Sequence, residues 1–102
     1  MGKDSALYQL MGVRMNGVMN GIVSSDGEYQ AIIRKSDEYS GRLEKMELPK
    51  EVRLLIDRYV SEQNALGSRF WMLAYLLGFS DCKAMFLGEC LPTKVKEMDT
   101  EL

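Results

Sequence analysis

The sequence predicts an all-α fold, a bundle of three or four helices whose last helix is strongly apolar. Three observations lead there. Apolar residues recur at spacings of three and four, the period of a helical face rather than of a strand. Only two prolines, Pro49 and Pro92, interrupt the 102 residues, and both fall near predicted helix ends. Eight methionines, with abundant Leu, Glu and Lys, fill the runs between with residues that favour helix. A chain this long buries roughly two-thirds of its unfolded surface, enough for one core. One helical domain is therefore expected over residues 1–91, followed by a polar tail over 92–102.

Asp4 or Ser5 offers a short side-chain oxygen to the free amides of a first helix. Leu7, Met11, Met15, Val18 and Ile22 then fall on one face. Within this run MNGVMNG, residues 15–21, states one unit twice. Asn-Gly favours hairpins, yet two hairpins cannot share the Val18–Met19 spacer. In a helix each glycine costs about 1 kcal/mol relative to alanine. Two outcomes are open: another helix approaches closely at Gly17 and Gly21, or the helix ends near Asn16–Gly17, the simpler of the two.

SSDGEY, residues 24–29, reads as a loop and an N-cap. A heptad seam follows in Tyr29, Ile32, Ser36, Tyr39, Leu43 and Met46, flanked by charges of both signs. Leu48-Pro49 closes that segment and opens the next, proline being at home in a first helical turn. The third pattern, from Val52 and Ile56 through Tyr59, Gln63, Leu66, Phe70 and Leu73 to Leu77, keeps its phase across Gly67-Ser68. Either one long helix or two nearly continuous ones would satisfy it. Residues 92–102, PTKVKEMDTEL, are polar enough to fray.

FWMLAYLLGF, residues 70–79, carries no charge. A membrane-spanning helix needs about 20 apolar residues, and this run stops at ten, with Ser80, Asp81 and Lys83 following. A helix apolar all round must be buried all round, and the other seams are too narrow to wrap it. Part of the face is therefore expected to stay open in a single chain, which points to an interface, with a homodimer through residues 70–87 as the expectation. Phe70, Trp71, Leu73, Leu77 and Phe86 are its candidate interface or core anchors. Met11, Met15 and Met19 add an adaptable surface for a protein partner.

Two resemblances bear on this. AYLLGFSD, within residues 73–89, resembles the second helix-turn-helix of the AraC-type transcription regulators, which implies a corner at Leu77, Gly78 and Phe79 and DNA binding by the helix after it. The outward positions of that helix are Ser80, Asp81, Cys82, Met85, Phe86 and Glu89, and none is an Arg, Lys, Asn or Gln able to read a base edge. A formal charge of −2 likewise draws no polyanion. Over residues 7–91 the order Leu7-Tyr8, Glu28-Tyr29, Leu48-Pro49 with Glu51, Phe70, Gly78-Phe79 and Leu87 with Glu89 is similar to an uncharacterised family of small helical proteins of Gram-positive bacteria and their mobile elements. That resemblance implies a helical fold and no particular activity.

Catalytic chemistry finds little support. The chain has no histidine, which removes the commonest general base and metal ligand and any Ser-His-Asp or Cys-His arrangement. Cys82 and Cys90 are too few for a zinc site. On one helix they would lie about 12 Å apart at ~1.5 Å per residue, beyond the ~7 Å a disulfide allows. Asp37-Glu38 and Glu97/Asp99 are adjacent or near-adjacent pairs that point to different faces. Gly78 and Gly88 belong to no phosphate loop. Unpaired thiols, with no leader segment and with Ala6 where lipidation of Gly2 would want Ser or Thr, suggest a cytoplasmic protein. The expectation is a non-enzymatic helical protein without cofactor, metal or membrane association.

Overall fold

The computed structural model describes residues 5–98. Gly2, Asp4 and Asp99, on which three of the sequence readings fall, lie outside the described residues. Among those described there is no strand, and the all-α class holds. The elements are α1 (Ala6–Val13), a π-helical segment (Arg14–Val18), α2 (Met19–Ser25), α3 (Gly27–Lys45), α4 (Lys50–Leu87) and α5 (Val95–Met98). They fall into two compact units, one drawing on residues up to Met11 and from Tyr59 onward, the other formed by Gly12–Arg58.

Ser5 starts α1: its hydroxyl accepts from the Tyr8 amide at 3.1 Å, satisfying one of the helix's free donors. The chain then departs from expectation. The helix neither ends near Asn16–Gly17 nor meets a neighbour at Gly17 or Gly21, where an added Cβ would find nothing within 4 Å. Instead it passes through a π turn and continues to Ser25. A π turn holds one more residue than an α turn. That extra residue turns the helix, so the sheltered row runs Leu7, Met11, Met15, Met19, Val23 and leaves Val18 and Ile22 exposed. The predicted face is right before the bulge and wrong after it. Asn20 and Ser24 spend their polar groups on the carbonyls of Asn16 and Asn20, at 2.9 and 2.6 Å.

A single residue, Asp26, separates α2 from α3. Its extended backbone ends one helix, and its carboxylate accepts from the Glu28 amide at 3.1 Å to begin the next. Gln30 donates from Nε2 to the Val23 carbonyl at 2.9 Å, tying the two helices across that joint. α3 buries no residue, so its seam from Tyr29 to Leu43 lies open, and Met46, the last residue of the predicted seam, falls past the helix end in extended backbone. Met46 to Pro49 form the linker, and the Pro49 carbonyl accepts from the Val52 and Arg53 amides to open α4. Gly67-Ser68 does not interrupt α4, which runs as one helix to Leu87. Gly88 stops it at φ 68°, and the Glu89 amide donates to the Ala84 carbonyl at 2.9 Å, a Schellman closure.

Within the unit containing both α1 and the later part of α4, Leu7, Met11, Leu76, Ala84 and Met98 are buried. Met98 shows that the polar tail is not wholly frayed: Val95–Met98 make a helical turn. Glu97 closes it by accepting from the Thr93 amide and hydroxyl. That amide bond, chiefly, holds the Glu97 carboxyl below its ordinary pKa.

Three outcomes follow from this packing. Leu7→Ala should lower stability in urea unfolding by about 2–5 kcal/mol, whereas Leu55→Ala, at a side chain 69% exposed, should stay within about 0.5 kcal/mol of the parent. Gly21→Ala, with open space around it, should raise the melting temperature through a gain of up to ~1 kcal/mol in helix propensity. Because the folded pKa of Glu97 is lowered, its bond to Thr93 holds at neutral pH and is lost as pH falls through that lowered value. A pH titration of the Thr93 amide shift should show this, and Glu97→Gln should abolish the step.

Candidate interaction surface

The residues from Tyr59 to Leu87 belong to one compact unit, and their burial divides α4 lengthwise. Leu76 and Ala84 are buried, and Met72, Leu73, Ser80 and Lys83 are half-buried. At about 100° per residue these six share one side of the helix, while Tyr75 and Asp81, also half-buried, lie off it. Trp71, Ala74, Gly78, Cys82 and Met85, spaced three, four, four and three, lie on the opposite side, and all are exposed. Phe70 and Leu77 flank that side along one edge and Phe86 along the other.

The five anchors read from the sequence therefore separate. Leu73 lies on the sheltered side. Leu77 is 41% exposed. Phe70 is 72% exposed, Trp71 53% and Phe86 88%. An apolar patch of this extent on one helix face is uncommon on a monomer. Met85, 77% exposed, extends the patch. Its position was legible as an outward one on the predicted second helix, but only the continuous helix places it in line with Trp71. The residues between the large ones are the small Ala74, Gly78 and Cys82, and no atom comes within 4 Å of a Cβ built on Gly78.

The corner that the helix-turn-helix template places at Leu77, Gly78 and Phe79 is not formed, because all three lie inside α4. One glycine costs about 1 kcal/mol in a helix, which strong helix formers on both sides outweigh. Cys90 lies beyond the end of α4, so the single-helix spacing does not apply to the two cysteines; both thiols are free and exposed. By length and composition α4 is long and apolar enough to cross a membrane, a property the ten-residue run alone did not reveal. Asp81 and Lys83 fall in its apolar half, with the Lys83 ammonium 3.9 Å from a Glu89 carboxylate oxygen.

In the other unit, a shallow open depression is lined by Glu47, Leu48, Pro49, Lys50 and Arg53. Among the described residues no three His, Cys, Asp or Glu side chains gather as a metal site would require. Comparison with protein-family models, with curated proteins and with solved structures finds no match.

Proposed function

We propose that the protein acts by binding rather than by catalysis, and that it binds a second copy of itself through the outward side of α4 between Phe70 and Leu87. The observation that supports this most is the exposure of Phe70, Trp71 and Phe86 on a helix already sheltered along its other side. Full burial of a large apolar side chain contributes about 1.5–3 kcal/mol. With 41–88% of each still exposed, Phe70, Trp71, Leu77, Met85 and Phe86 together supply roughly 5–10 kcal/mol per copy. Two copies then supply about 10–20 kcal/mol, of the order of the ~4–15 kcal/mol that association costs. On this reading a bundle of three or four helices is completed between copies.

Lipid is the competing cover. Asp81 and Lys83 weigh against it, since each charge near the middle of a span costs about 2.5–3.5 kcal/mol. Nucleic acid is disfavoured by the net charge of −2 and by Asp81 beside the patch.

Analytical ultracentrifugation of the parent and of Trp71→Glu at equal concentration tests the reading. The parent should sediment as a dimer and the variant as a monomer. Identical monomeric profiles would remove the proposal. Flotation of the parent with neutral phosphatidylcholine vesicles would replace it with a lipid-facing role.

A further inference from the structure

The repeat MNGVMNG gives the chain two Asn-Gly pairs in matching surroundings. Met15-Asn16-Gly17-Val18 and Met19-Asn20-Gly21-Ile22 differ by a single methylene. Asn-Gly is chemically labile: the glycine nitrogen closes on the asparagine side-chain carbon, and no Cβ on the second residue obstructs it. Sequence alone therefore gives the two pairs equal reactivity. Both asparagines are exposed, so water and hydroxide reach either one.

The fold treats them differently. Ring closure requires the asparagine to leave helical backbone angles, because in a helix the side chain points back toward the N-terminus, away from the amide that follows it. Asn20 resists this change. Its Nδ2 donates to the Asn16 carbonyl at 2.9 Å, which holds the side chain in that backward direction, and its own carbonyl accepts from the Ser24 hydroxyl at 2.6 Å. The helix around it is tied to α3 by the bond from Gln30 Nε2 to the Val23 carbonyl. Asn16 has no such tether: its side chain makes no hydrogen bond among the described residues. It also lies in the π turn, no residue of which is buried. A segment with few packed contacts opens at little cost, and Gly17 lowers that cost further.

We propose that Asn16-Gly17 is a site of spontaneous conversion of amide to carboxylate, with water as the only co-reactant, and that Asn20-Gly21 follows it. The Gly17 nitrogen gives its proton to solvent base and bonds to the Asn16 side-chain carbon. The carbon–nitrogen bond of the side-chain amide breaks, and ammonia leaves with a proton taken from solvent. Water then opens the succinimide at either carbonyl, giving aspartate or isoaspartate, with no change of oxidation state. Each conversion adds one negative charge to a chain of net charge −2. In the isoaspartate product the main chain runs through the former side-chain carbon, and the carbonyl that held Asn20 becomes part of the free carboxylate. The second pair thereby loses its tether, which sets the order of the two steps.

Peptide mapping by mass spectrometry, on the full chain aged at mildly alkaline pH in heavy-oxygen water, tests this. Label should enter residue 16 several-fold faster than residue 20, and residue 20 only after a lag. In urea the two rates should converge, since the unfolded chain offers both sites nearly the same neighbours. Gly17→Ala, at a position where an added Cβ meets nothing within 4 Å, should suppress entry at residue 16. Because it keeps the carbonyl that holds Asn20, it should slow entry at residue 20 as well. Equal rates in the folded chain, or faster entry at residue 20, would overturn the proposal. So would a folded chain that takes up no label at residue 16 while the urea-unfolded chain is labelled at both sites. Entry at residue 20 as fast in Gly17→Ala as in the parent would overturn the order of the steps.

Discussion

Cover is the scarce resource in this chain. Hydrophobic stabilisation requires that apolar area leave water, and a helix can shelter only the side that another element reaches. α4 illustrates the limit. Its inner side, around Leu76 and Ala84, is closed, while Trp71 and Phe86, a few residues away along the same helix, stay wet. A second helix of comparable length would be needed to close the outer side, and the longest other helix, α3, belongs to the other unit and exposes its own seam. The chain thus carries more apolar face than it can occupy by folding alone.

Backbone signals, by contrast, are satisfied at nearly every junction. Ser5 and Asp26 accept from amides that would otherwise lack partners. The Pro49 carbonyl starts α4, and Gly88 provides the left-handed residue that ends it. Each such interaction is worth about 1 kcal/mol. They fix where helices begin and end without fixing what lies against them. The secondary structure is therefore well determined by local chemistry, while burial is concentrated in five side chains among the described residues.

That contrast explains which features were legible. The all-α class, the Ser5 and Asp26 caps, the Leu48-Pro49 linker and the α3 seam all follow from residues within one or two turns of each other, and the sequence displays such patterns directly. Phe70 and Trp71 stood out because no charge interrupts residues 70–79, whereas Phe86 lies beyond Asp81 and Lys83. What stayed hidden depends on sums over longer stretches. Whether Gly67-Ser68 breaks a helix is a balance between one glycine and some twenty residues on either side. Gly78 poses the same question inside the helix-turn-helix template, and helix propensity wins both times. The shelter of Met98 depends on the fold rather than on the polar residues around it. The π turn has no simple composition signal at all: Gly17 weakens the α alternative, but nothing in MNGVMNG announces a wider turn.

That wider turn between Arg14 and Val18 makes chain length a rotary adjustment. A surplus residue is lodged there without breaking the rod, and the row that an unbroken α-helix would continue from Met15 to Val18 and Ile22 continues to Met19 and Val23. Deleting one residue between Met15 and Met19 would let ordinary α geometry resume with α2 facing as it does now, Met19 and Val23 then standing three and seven positions after Met15; closing the wide turn with every residue kept would instead swing α2 through about 100° and bring Val18 and Ile22 round to the sheltered row. Homologous chains one residue shorter in this stretch would thus present the same methionine face from an unbroken α-helix.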